Sequence, residues 1–264
     1  MKFQSLYLGA VFLAACTLVL PARATVVIED TFTGRYSSDE IVKLAGTSPD
    51  AAGTSLTWTA SDALVFKNNG THDYLTAETT QHANMSLLFD YSLYSDNGNI
   101  VTVAITLNSG GSGTTDKWIG FGFSRTGSFS SPTSNGSLWL QISRRSTTAS
   151  WYLKNGNTTL ATGALGEGFS LADSNTFSFS YDVEHKTVTG VFLNGVNVLA
   201  APHVFATAPV LGSVGAFFQW ADSNVNKITD FSVTLPSIPE PGDWALIGGV
   251  LLSGFAFARR FSRR

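Results

Sequence analysis

The feature that most narrows the folds open to this chain is a period-two alternation of apolar and small polar residues that recurs through its central region. Val101, Val103, Ile105 and Leu107 are separated by Thr102, Ala104 and Thr106, and Phe177, Phe179, Tyr181 and Val183 by Ser178, Ser180 and Asp182. Successive side chains of a strand point to opposite faces, so such segments bury one face of a sheet and leave the other polar. Met85, Leu87, Phe89, Tyr91 and Leu93 read as another strand, and the Asp96-Asn97-Gly98-Asn99 turn after it predicts a hairpin into Val101. Ile119, Phe121 and Phe123 alternate with Gly120 and Gly122, and Leu138, Leu140 and Ile142 put Trp139 and Gln141 on the opposite face. Asn194-Gly195 is a two-residue hairpin signal between Val188 to Leu193 and Val196 to Leu199; Val214, Ala216, Phe218 and then Phe231, Val233, Leu235 close the series. No long stretch carries helical periodicity. Roughly a dozen short strands with tight turns predict an all-β chain, an antiparallel two-sheet jelly-roll sandwich.

Both ends lie outside that pattern. Lys2, an apolar run from Leu6 to Leu20 and the small-x-small site Ala22-Arg23-Ala24 predict a signal peptide over 1–24 with Sec-type export. Leu13-Ala14-Ala15-Cys16 also fits a lipobox that would place a lipid on Cys16. Cys16 is the only cysteine, so cleavage after Ala24 leaves a domain over 25–236 without disulfides or thiolate metal sites. At the other end, residues 237–264 hold Pro239, Glu240 and Pro241, an uncharged apolar run over 244–258, and a cluster over 259–264 with Arg259, Arg260, Arg263 and Arg264. The apolar run predicts one C-terminal transmembrane helix. At ~1.5 Å per residue it spans roughly 22 Å, short for a ~30 Å hydrocarbon core unless the arginines snorkel.

This tail resembles the PEP-CTERM sorting signal, which consists of the same three parts in the same order. The resemblance covers about a tenth of the chain and implies processing near Pro239 to Pro241 by a membrane-embedded exosortase. It implies an inner-membrane-anchored precursor, then delivery to the cell surface or extracellular matrix of a Gram-negative bacterium that makes extracellular polysaccharide. The main domain has its own resemblance. Asp30-Thr31-Phe32, Trp118-Ile119-Gly120-Phe121-Gly122-Phe123, Leu193-Asn194-Gly195 and Asp230-Phe231-Ser232-Val233 together resemble the concanavalin A-like or laminin G-like jelly roll. That fold hosts lectins, adhesion modules and glycoside hydrolases, so it does not fix a function.

Charge and motifs narrow the chemistry further. Over 25–236, five Glu and twelve Asp stand against six Lys and four Arg, a formal charge of −7, which disfavours nucleic acid as a partner. The Glu-x-Asp-x-x-Glu strand that retaining hydrolases of this fold use is absent; the exported glutamates are scattered, and Asp182 with Glu184 reads as turn charge. His72, His82, His185 and His203 show neither zinc spacing nor a nucleophile elbow. The expectation is a non-enzymatic exported module that contacts polysaccharide, the alternatives being a glycoside-active enzyme or a purely structural matrix protein. Trp139 and Gln141, beside a trough at Gly120 and Gly122, are the expected sugar-binding residues, with Trp151 and Trp220 as further aromatic candidates. In the jelly-roll resemblance the first and last strands lie side by side and share a structural Ca²⁺, which would here use Asp30 and Asp230. The polar run Asp222, Asn224, Asn226 lacks the glycine of a calcium loop and reads as a plain loop.

Overall fold

The computed structural model describes residues 24–52, 55–78, 82–95, 98–108, 118–143, 149–166, 173–219 and 227–236. Val26–Leu235 forms one compact unit. The signal peptide, Cys16, the PEP-CTERM-like tail, Trp220 and the Asp222 to Asn226 run lie outside the described residues. Among the described residues no helix is long and apolar enough to cross a membrane.

Seventeen strands build two antiparallel sheets. Sheet A joins β1 (Ala24–Asp30), β2 (Ala51–Ala52), β4 (Leu64–Asn68), β5 (Asp73–Ala77), β7 (Ile100–Asn108), β12 (Ser174–Asp182), β13 (Thr187–Leu193), β14 (Val196–Asn197), β15 (His203–Val204) and β17 (Ile228–Pro236). Its main order is β14-β13-β12-β7-β17-β1-β2, so the first and last strands are neighbours, as expected. Sheet B holds β3 (Thr59–Ala60), β6 (Ala83–Leu88), β8 (Trp118–Ser124), β9 (Gly136–Ser143), β10 (Ser150–Asn155), β11 (Thr158–Ala164) and β16 (Ser213–Gln219), in the order β11-β10-β9-β8-β16-β6-β3.

The alternation read from the sequence becomes the interior of this sandwich. Val101, Val103, Ile105, Phe177, Phe179, Phe231 and Val233 face inward from sheet A and meet Ile119, Phe121, Phe123, Leu138, Leu140, Ile142, Val214 and Phe218 from sheet B. Phe121 and Phe123 pack on Phe179 across the layers with ring centroids 6.0 and 6.2 Å apart. Burying each such side chain contributes about 1.5–3 kcal/mol, which is how a domain without disulfides holds together.

Three local expectations are corrected. The strand through Met85 stops at Leu88, because the Asp90 side chain accepts from the Ser92 amide and hydroxyl and caps a 3-10 turn over Tyr91–Leu93. The segment ending at Asn99 is not a hairpin: it carries the chain from β6 in sheet B to β7 in sheet A. The strand after Asn194-Gly195 is only Val196–Asn197, although the turn itself forms with φ of 48° and 80° at its two residues.

Candidate functional site

The outward face of sheet B is built by register. Asn84, Phe217, Gly120, Gln141, Tyr152 and Thr162 lie in one row across six adjacent strands. Beside it run Ser86, Gly215, Gly122, Trp139, Lys154 and Thr159. On the far side of the first row Gln219 pairs with Trp118, which pairs with Ser143. Such a row is about 24 Å long at ~4.8 Å per strand.

Trp139 sits on this face, as its parity required, but it is fully buried and is not a stacking platform. It forms a second small core with Phe129 and Phe217, against which Trp118 packs half-buried. Its indole lies across β8 and donates from Nε1 to the Gly156 carbonyl at 2.9 Å. The expected trough at Gly120 and Gly122 is therefore filled: a Cβ on Gly120 would meet Trp139 Cζ3 at 2.8 Å, and one on Gly122, at φ +143°, would meet the Leu138 carbonyl oxygen at 2.5 Å. Trp151 is likewise buried, facing the sandwich interior.

The rings that do reach solvent stand on this floor. Trp118 packs on Phe217 and Trp139 at 5.3 and 5.6 Å, and exposed His82 stacks on Phe217 at 5.5 Å with planes 27° apart. Tyr152 is half-exposed beside Gln141, which is also half-exposed. The Lys154 amine sits 5.4 Å from the centre of the Trp139 ring and 5.9 Å from that of Tyr152, and burial pulls its pKa below the ordinary lysine value. Large apolar faces interleaved with amides and hydroxyls are what pyranose rings require, since each sugar has an apolar C–H face and an equatorial belt of hydroxyls. Of the two residues expected to meet a sugar, Gln141 is half-exposed and Trp139 is buried; the half-exposed rings of this face are Trp118 and Tyr152. Strand parity could have found both: Trp118 precedes Ile119, and Tyr152 lies between Trp151 and Leu153.

The expected calcium pair fares differently. Asp30 is fully buried and both its oxygens are already saturated. Oδ1 accepts from the Phe32 amide at 3.0 Å and pairs with Arg35 Nη2 at 3.0 Å; Oδ2 accepts from Arg35 Nη1 at 3.1 Å and Trp58 Nε1 at 2.7 Å. Arg35 continues to the Ser48 carbonyl and Asp50, both at 2.8 Å. A carboxylate surrounded by four N–H donors has no lone pair left for a cation, so Asp30 is corrected from metal ligand to the centre of a clasp whose positive charge is Arg35. Burial pushes the Asp30 carboxyl up to about 6, against the pull of Trp58, Arg35 and the Phe32 amide. Burial also works to raise Asp50, but Thr31 and Arg35 prevail and hold it below the usual carboxylate value. Asp230 accepts from the Thr229 hydroxyl at 2.8 Å, and among the described residues no three His, Cys, Asp or Glu side chains cluster as a metal site.

At the turn after β12, Asp182 Oδ2 lies 2.8 Å from His185 Nδ1, and Glu184 accepts from Asn99. The Asp182 hydrogen bond and charge raise the His185 pKa. The Asp182 and Glu184 turn pair is thus a solvated ion cluster, and its histidine partner is an addition to the sequence reading.

No protein-family model matches the chain, and no curated protein matches it. Solved structures share the fold. The Emp47p carbohydrate recognition domain aligns with TM-score 0.50 at 15% identity over 76% of this chain and 97% of that one. A legume lectin-like domain from Entamoeba histolytica aligns with TM-score 0.44 at 10% identity over 67% and 88%. The receptor-binding domain of a botulinum neurotoxin mosaic serotype C/D aligns with TM-score 0.48 at 9% identity over 85% and 51%. The first of these shares the fold, an all-β sandwich of two antiparallel sheets.

Proposed function

We propose that this chain is an exported, non-enzymatic carbohydrate-binding protein that engages polysaccharide through the outward face of sheet B. The observation that carries the reading is the set of half-exposed rings and amides on one sheet face, Tyr152, Gln141 and Asn84 in one row and Trp118 beside it, packed on the aromatic floor. Among the described residues no strand of sheet B contains Asp or Glu, which favours binding over the paired-carboxylate chemistry of glycoside hydrolysis. The likeness of the fold to a domain named for carbohydrate recognition supports the same reading. The signal peptide and the PEP-CTERM-like tail with Pro239, Glu240, Pro241, Arg259, Arg260, Arg263 and Arg264 would take the protein through the inner membrane to an exosortase and on to the cell surface or matrix.

Affinity electrophoresis in gels containing polysaccharide tests the binding. Retardation of the protein by at least one polysaccharide, lost in Trp118→Ala and accompanied by no release of reducing sugar, is expected; full retardation of Trp118→Ala would remove the site. Mass spectrometry of surface protein tests the sorting: a terminus near Pro239 to Pro241 is expected, and recovery of Arg259 to Arg264 would make the tail a permanent anchor.

A further inference from the structure

The charges of this domain are divided between its two sheets. Strands of sheet A contain Glu29, Asp30, Asp73, Asp182 and Asp230. Strands of sheet B contain no carboxylate at all, and their only charged residue is Lys154, in the row of Trp139. A second cation lies at the same end of β10: Arg125, in the segment leaving β8, donates from Nη2 to Oδ1 of Asn155, the residue after Lys154, at 3.0 Å. The other cations of the described chain that approach carboxylates are spoken for, Arg35 by Asp30 and Asp50, Lys43 by Asp62 and Lys67 by Glu78. Among the described residues Lys154, Arg125, Lys186 and Lys227 have no carboxylate partner, and of these the first two are the ones at this face.

Lys154 is half-buried over two aromatic faces that attract it, and Arg125 is exposed to solvent, so neither requires a carboxylate from the chain itself. Two cations beside an aromatic and amide face whose strands hold no Asp or Glu suit a ligand that brings its own negative charge. A carboxylate on a sugar fits that place: its ring stacks at Trp118 or Tyr152 while its charge meets Lys154 or the planar fork of Arg125. We infer that the outward face of sheet B selects an anionic, carboxylate-bearing glycan, a uronic-acid polymer, with Lys154 and Arg125 as its charge-reading residues. The inference rests on the proposed reading of this face as a glycan surface.

The test compares two forms of one backbone. Binding of the full chain is measured by calorimetry with polygalacturonate, with its fully methyl-esterified form, and with a neutral β-glucan, at low and high salt. Polygalacturonate should bind about tenfold or more tighter than the ester, and the preference should shrink with salt. Lys154→Gln combined with Arg125→Gln should abolish the preference, whereas Lys186→Gln, in the turn before β13, should leave it intact. Equal binding of acid and ester, or a preference that survives the double substitution, would overturn the inference. Binding of the neutral glucan alone would also overturn it, yet leave the glycan face standing if Trp118→Ala removes that binding. A stronger preference for dextran sulfate over polygalacturonate would reassign the anion to a sulfate ester and overturn the carboxylate assignment.

Discussion

Replacing Asp30 by alanine is the sharpest test of how the entrance to the domain is held. The substitution removes the acceptor of four contacts at 2.7 to 3.1 Å and strands the Phe32 amide and the Trp58 indole N–H in a fully buried site. Each buried donor left unmade costs about 1–3 kcal/mol. Arg35 keeps Asp50 and the Ser48 carbonyl, so its own charge is only partly uncompensated. The expected loss at pH 7 is about 3–5 kcal/mol, the range for breaking a buried ion pair, or roughly 6–20 °C in melting temperature for a domain of this size. Urea unfolding followed by tryptophan fluorescence reads it. Asp50→Asn, at a side chain 36% exposed, is the control and should cost less than about 1 kcal/mol.

The pH dependence adds an independent check. Asp30 holds its proton more tightly in the folded state, with a pKa of about 6 against an ordinary 3.8. Its contribution is therefore greatest below the ordinary value and declines as pH rises towards 6, by about 3 kcal/mol in all. Comparing wild type with Asp30→Ala cancels the other titrating groups. The cost of the substitution should be about 1 kcal/mol larger at pH 5 than at pH 7. A cost under about 1 kcal/mol at pH 7, or one that shrinks as the pH falls, would refute this account of the clasp.

Three further outcomes follow from the geometry. Chelation with EGTA should leave the melting temperature unchanged, because Arg35 already supplies the charge at Asp30; calorimetry showing a drop of several degrees would require a metal held by other residues. Gly122→Ala should cost more than about 2 kcal/mol in chemical denaturation, since its Cβ meets backbone at φ +143°, whereas Gly195→Ala, with open space around it, should cost only about 1–2 kcal/mol of backbone strain. Trp139→Ala should destabilise by about 3–5 kcal/mol, while Trp118→Ala, half-buried on the same face, should weaken polysaccharide binding with a much smaller shift in melting temperature.

The parity of strand residues made the interior of the sandwich legible in the sequence, and the pairing of the first and last strands came from the resemblance. Parity assigns a side chain to a face, not to a depth. Trp139 was on the outward face as read, but Phe129 from the β8 to β9 connection and Phe217 from β16 close over it, and those contacts are far apart in the chain. Local turn chemistry has a similar limit. Asp96 to Asn99 looks like a hairpin turn whether the next strand pairs with the last one or crosses to the other sheet, and here it crosses. Arg35 was illegible for a third reason: nothing near it in sequence marks it as the partner of Asp30, since the Trp58 and Asp50 that complete the clasp come from later segments.

The two sheets divide the work of the domain, and the division has a physical logic. Sheet A carries the carboxylates and, at the end of β1, ties the chain entrance shut with an internal cation in place of a metal. That arrangement gives the buried carboxylate its counter-charge from within the chain. Sheet B spends its outward positions otherwise. Glycines at 120 and 122 admit the Trp139 indole, on which Trp118 packs, so a sugar ring stacking there would meet a base that packing already holds in place. A carboxylate within a few ångströms of Lys154 or Arg125 would neutralise it, and the strands contain none. The strands of sheet A carry Glu29, Asp30, Asp73, Asp182 and Asp230 while those of sheet B carry Lys154 alone, and this division of charge, set beside the aromatic floor, is what the proposed anionic glycan would read.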